Sequence, residues 1–160
     1  MAAYIRSNNT EHGLVCHVTG AGQPLGNAIG RRFAAAGARV AFVCFPEDEA
    51  AACAAGAASG AEMVIPCDPV LPKSVSATVR RVAAEMGSVD LLVNASRWGT
   101  PKRLEDTSLA ECRQIVEVQL SGTIYFCKEV IRPMMRARAG RIISMLDIAS
   151  GGACMVAAKG

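Results

Sequence analysis

Residues Val15–Gly26 read VCHVTGAGQPLG, an apolar run that breaks into a glycine-rich turn and then opens a helix. A buried strand that ends in such a turn and feeds a helix N-terminus is a geometry for holding the pyrophosphate of a dinucleotide. Pro24 makes the turn imperfect, because proline has no N–H to donate and fixes its own φ.

Outward from this stretch, strand and helix patterns alternate. Leu14–Thr19 reads as a buried strand, followed by Leu25, Ile29, Phe33 and Ala36 at helical spacing with Gly37 as the stop. Arg39–Phe45 is a second strand, Glu47–Ser59 an alanine-rich helix, and Glu62–Pro66 a third strand. Val75, Val79, Val82 and Met86 share one face of a third helix closed by Gly87. Val89–Asn94 is almost continuously apolar, as expected of a parallel strand covered on both faces.

A long helix is expected from Ser108 to about Met135, opened by a capping box between Ser108 and Glu111. It carries one apolar stripe through Leu109, Cys112, Val116, Leu120, Cys127 and Val130, and a second through Ile115, Val118, Gly122 and Phe126. A helix apolar on two sides is expected to be buried on two sides, against its own sheet and against a partner. Pro133 predicts a kink or a frayed end. Gly140–Met145 is a fifth strand, and the start of another helix follows. Such alternation with right-handed crossovers predicts an α/β, Rossmann-like, doubly wound parallel sheet of about five strands. It forms a single domain over 13–160 behind a polar lead-in over 1–12.

Composition narrows the function classes. The 160 residues suit one core, and the net charge of +3, scattered along the chain, argues against nucleic-acid binding. No apolar run has the length of a membrane span, and the N-terminus lacks the apolar core of a signal peptide. The seven cysteines are odd in number and include no C-x-x-C pair. They are read as reduced thiols in a cytoplasmic protein, with no metal site.

The motifs resemble the short-chain dehydrogenase/reductase family in order and spacing over nearly the whole chain. Thr19-Gly20-Ala21 with Gly26 resembles the TGxxxGxG turn, and Asp68 the position that contacts adenine. Asp90–Asn94 resembles the DILVN that opens the NNAG motif, Gly140–Ser144 the GRIVN strand, and Lys159 the lysine of YxxxK. The resemblance implies an NAD or NADP site, with Gly20, Gly22, Gly26, Asp68 and Asn94 as its candidate residues. Several changes weaken that site, down to binding no cofactor. Pro24 replaces the middle glycine, and Cys44 and Phe45 stand where a ribose-binding Asp is usual. Arg97 stands at the last glycine of NNAG, where it either fills the room beside a cofactor or turns away. Gly22 offers an alternative GxGxxxG reading, and Glu47 and Asp48 read as first-turn helix acids.

The catalytic residues implied by the resemblance are altered too. Met155 takes the place of the tyrosine that carries the reacting proton, and a thioether has none to give. Asp147 aligns with the serine, Gln119 with the helix asparagine, and Lys159 is retained. Tyr4 and Tyr125 are not placed to substitute, and the Asp147–Met155 segment is shorter than the family's. A Lys159–Asp147 pair doing different acid–base work is the sharper alternative to a solvated lysine.

The chain is thus expected to be a degenerate, C-terminally short member of the family. The favoured reading is a non-catalytic subunit that pairs with an active relative through helix 108–135 and the region after Gly151. The alternatives are an NAD(P)-dependent oxidoreductase of hydroxyacyl, ketoacyl or small alcohol substrates with altered catalytic groups, and a nucleotide-binding regulatory module.

Overall fold

The computed structural model describes residues 13–99 and 103–145. Five parallel strands, β1 (Val15–Thr19), β2 (Arg39–Cys44), β3 (Met63–Pro66), β4 (Leu91–Asn94) and β5 (Arg141–Ser144), lie in the order β3-β2-β1-β4-β5. The register pairs His17 with Ala41 on one side and with Leu92 on the other. Strand order therefore reverses between β1 and β4, which opens a crevice beyond their C-terminal ends. This is the doubly wound architecture expected from the alternating pattern.

Side chains alternate across the sheet, so each face builds its own core. Val15, Ala41, Val43, Ile65 and Leu92 pack under α3 (Pro72–Met86) and the later helix α5 (Thr123–Ala137). Cys16, Val18, Val40, Phe42 and Val93 pack under α1 (Pro24–Ala35) and α2 (Glu49–Ser59), through Ile29, Phe33 and Ala55. A Cβ at Gly30 would overlap the Phe42 ring, so this glycine lets α1 lie close on the sheet. At the other end of the strands, Arg39 pairs with Glu62 at 2.7 Å and donates to the Met86 carbonyl at 2.6 Å, tying β2, β3 and the end of α3 together.

Several element limits differ from those expected. Pro46–Asp48 forms a 3-10 turn, and α2 begins only at Glu49. The long helix is interrupted: α4 (Leu109–Val116) passes into a π-helical segment, Glu117–Gly122, before α5. The capping box at Ser108 and Glu111 is present, and α5 runs through Pro133 to Ala137, where Arg138 takes a left-handed φ of 52°.

The wider turn resets which residues face inward. Val118, Gly122, Phe126, Val130 and Met134 are buried, so Val130 belongs with the inward row and not with the Leu109 stripe. Leu109, Val116, Leu120, Ile124, Ile131 and Met135 are exposed, Leu109 by 76% and Met135 by 70%. Among the described residues strand β5 is the last of the sheet, and Ile142 and Ile143 on it are also exposed. The polar lead-in and the region after Gly151 lie outside the described residues.

His17, in the central strand, is fully buried, and neither ring nitrogen has a protein partner. Its ring meets Phe126 edge-on at 5.2 Å. Burial disfavours the imidazolium and pushes the pKa down from 6.5 to about 4. Below pH 6.5 the unfolded chain therefore takes a proton that the folded chain refuses, and stability falls until the folded pKa is reached. Urea unfolding is expected to lose up to about 3 kcal/mol from this group between pH 7 and 4. His17→Val should remove that part of the slope; an unchanged slope would show that the imidazole is not held neutral.

Candidate functional site: the crevice between β1 and β4

The turn after β1 is built for close approach. Gly20 has a φ of +69°, and a Cβ there would lie 2.7 Å from the Ala95 carbonyl oxygen. A Cβ at Gly26 would strike the Gly20 carbonyl. Within the turn, Gln23 N donates to Gly20 O at 3.0 Å, and Ala21 N donates to Val43 O at 3.0 Å. Gly22 has a different reason to be small: a Cβ would meet Asp48, including its carbonyl oxygen at 2.9 Å. Asp48 thus packs on the turn and is not merely a first-turn acid of the helix that follows.

Pro24 does not distort the turn. It is the first residue of α1, where proline's φ suits a helix and its missing N–H leaves no intrahelical bond unmade. The N-terminus of α1 has no side-chain cap and no acidic residue in its first turn. Its dipole's positive end faces the turn that Asp48 packs on, so the nearby acid comes from the β2–α2 connection and not from α1 itself.

The opposite wall is the segment after β4. Thr19, buried at the end of β1, accepts hydrogen bonds at Oγ1 from Ala95 N at 3.0 Å and Ser96 N at 3.1 Å. The Gln23 side chain reaches the same segment, donating to Arg97 O at 2.6 Å and accepting from Arg97 N at 3.1 Å. Gln119, in the π-helical segment, donates a long hydrogen bond of 3.5 Å to the Trp98 carbonyl. Together these groups frame a cleft of about 370 Å³ whose wall includes Gln23, Pro24, Ser96, Arg97, Gln119 and Met145. Arg97, an exposed residue, lines the cleft.

The other candidate residues are placed differently. Asn94 is buried, and its amide donates to Ser144 Oγ at 3.2 Å and to Cys127 Sγ at 3.6 Å, bracing β4 against β5 and α5. Its Oδ1 is buried without a protein partner. Asp68 Oδ1 accepts from Val70 N at 3.0 Å, which uses that oxygen in a local turn. Burial, reinforced by Glu49 and Asp48, pushes the Cys44 thiol up to about 12. Burial also raises Cys67 and Cys127, so these thiols are protonated and poor nucleophiles. The end of β2 offers a neutral thiol where the family resemblance implies a ribose-binding carboxylate. Asp147, Met155 and Lys159 lie outside the described residues.

In the sequence Thr19 and Ser144 stand only as motif letters, Cys127 as one member of an apolar stripe and Gln23 as part of the turn. Their partners lie 33 to 77 residues away in the chain, so no local pattern announces them.

A parallel sheet with this crevice and glycine turn defines a dinucleotide-type α/β fold. The sequence pattern of the short chain dehydrogenase family matches residues 14–157, and the chain belongs to that family. It is 36% identical over 140 residues to D-threitol dehydrogenase of Mycolicibacterium smegmatis, covering 86% of this chain and 54% of that protein. It is 34% identical over 135 residues to a 3-oxoacyl-acyl-carrier-protein reductase of Escherichia coli, covering 83% and 54%. The structure of an NAD+-bound xylitol dehydrogenase superposes with a TM-score of 0.74 at 28% identity, covering 84% of this chain and 53% of that one. The chain thus spans about half the length of the relatives it matches.

Thr19→Val keeps the shape of the side chain but leaves the Ala95 and Ser96 N–H groups without their acceptor. It should cost roughly 2 kcal/mol in urea unfolding, with Thr19→Ser close to wild type. A loss in Thr19→Ser with Thr19→Val close to wild type would mean that the methyl group, and not the hydroxyl, supports the crevice.

Proposed function

We propose that this chain is a non-catalytic subunit that pairs with an active oxidoreductase of its own family. The observation that carries the proposal is the exposed apolar face running along α4, the π-helical segment and α5. Leu109, Val116, Leu120, Ile124 and Ile131 turn outward while the opposite side of the same helix closes the core. An apolar face of this extent is costly to leave in water and suits a protein partner. The chemistry agrees with the assignment. Met155 cannot supply a proton, and Gln119 is engaged with the Trp98 carbonyl. The D-threitol dehydrogenase and 3-oxoacyl reductase relatives suggest a partner acting on a small polyol or a ketoacyl thioester.

A second reading is an NAD(P)-dependent oxidoreductase, favoured by the crevice itself. A diphosphate would lie along Gly20–Leu25 at the start of α1, with Ser96 and Arg97 on the facing wall. This part of the cleft fits a nicotinamide dinucleotide, a carrier of hydride. The thiol at Cys44 gives the adenosine ribose no carboxylate.

Co-expression with full-length relatives followed by native mass spectrometry should give a hetero-oligomer, weakened tenfold or more by Leu120→Glu with Ile124→Glu. A soluble monomer with every partner tried would sink the subunit reading. Turnover of any carbonyl substrate by the isolated chain with NADH or NADPH would favour the oxidoreductase instead.

A further inference from the structure

Gln23 occupies the N-cap position of α1, yet its side chain caps nothing. Both ends of its carboxamide are instead spent on one residue across the crevice: Nε2 donates to the Arg97 carbonyl at 2.6 Å, and Oε1 accepts from the Arg97 N–H at 3.1 Å. A primary amide that pairs with both backbone groups of one residue imitates a strand neighbour, and it fixes separation and orientation together. The walls it joins are the glycine turn and the segment after β4, which flank the reversal of strand order.

The segment is held from other directions as well. Thr19 Oγ1 fixes Ala95 and Ser96 from below, and Gln119 reaches the Trp98 carbonyl from the helix side. The Thr19 bonds act on the strand-proximal part, and the Gln119 bond is long. Arg97 itself is exposed, so water competes for its peptide groups unless Gln23 holds them. The cleft of about 370 Å³ exists with the Gln23 bonds made. The carboxamide therefore belongs to the wall and does not plug the opening.

We infer that Gln23 is a positioning residue: its carboxamide pins the Arg97–Trp98 segment and thereby sets the aperture of the crevice and the place of Arg97 in its wall. For the effect on ligand affinity, the inference rests on the dinucleotide reading of the cleft. The positioning itself does not. It concerns the wall alone, and the chain carries its own reporter there, because Trp98 is its single tryptophan and adjoins the pinned residue.

The test uses the full chain with Gln23→Met, which keeps length and removes both bonds, and Gln23→Glu, which still accepts from the Arg97 N–H but sets a carboxylate against its carbonyl. Circular dichroism melting checks that both fold. Acrylamide quenching of Trp98 is expected to rise about twofold in Gln23→Met and by less in Gln23→Glu, as surface hydrogen bonds are lost stepwise. Quenching and emission maximum identical to wild type in both variants would overturn the inference. NADH titrations give the second arm. If wild type binds, the dissociation constant should rise about five- to tenfold in Gln23→Met, equivalent to roughly one lost hydrogen bond. An unchanged constant would overturn the role in shaping the cleft. If wild type binds neither NADH nor NADPH, the dinucleotide reading fails, and Trp98 quenching alone decides whether Gln23 positions the wall.

Discussion

The turn after β1 and the segment that leaves β4 meet backbone against backbone. Gly20 and the Ala95 carbonyl are so near that a methyl group does not fit between them. Gly26 lies closer still to the Gly20 carbonyl. Once a chain commits to that contact, the backbone amides of Ala95 and Ser96 are brought to the Thr19 hydroxyl, and Gln23 comes within reach of Arg97. The crevice follows from a steric constraint satisfied by glycine and then held by side-chain acceptors.

The wall so formed contains polar groups that donate and accept, with few that titrate near neutral pH. Buried thiols at Cys44, Cys67 and Cys127 are pushed toward their protonated forms, and His17 toward its neutral form. Burial is the leading cause in each case, so the described part of the fold suppresses charge in its interior. That favours packing and binding over proton transfer.

On the other side of the sheet, the π-helical segment decides how the long helix uses its apolar residues. One i, i+4 row from Val118 to Met134 enters the core, and a second set from Leu109 to Met135 remains outside. The amphipathic pattern in the sequence reported that both sides were apolar. It did not report where the helix widened, because a π turn leaves no compositional mark and arises from how the flanking turns dock on the sheet.

The sequence by itself determined the strand–helix order, the parallel sheet, the capping box at Ser108 and the family. Each rests on local spacing: a buried run, a helical stripe, a glycine stop, or a motif read along the chain. It also shows an amide at Gln119 and a thioether at Met155, since a side chain's donor groups are known from its name. Tertiary structure alone decided that Pro24 starts a helix cleanly, that Asp48 rests on Gly22, and that Asn94 braces β5. It alone joined Gln23 to Arg97. These outcomes depend on contacts between residues far apart in the chain, whose geometry exists only after the sheet has set which strand ends meet.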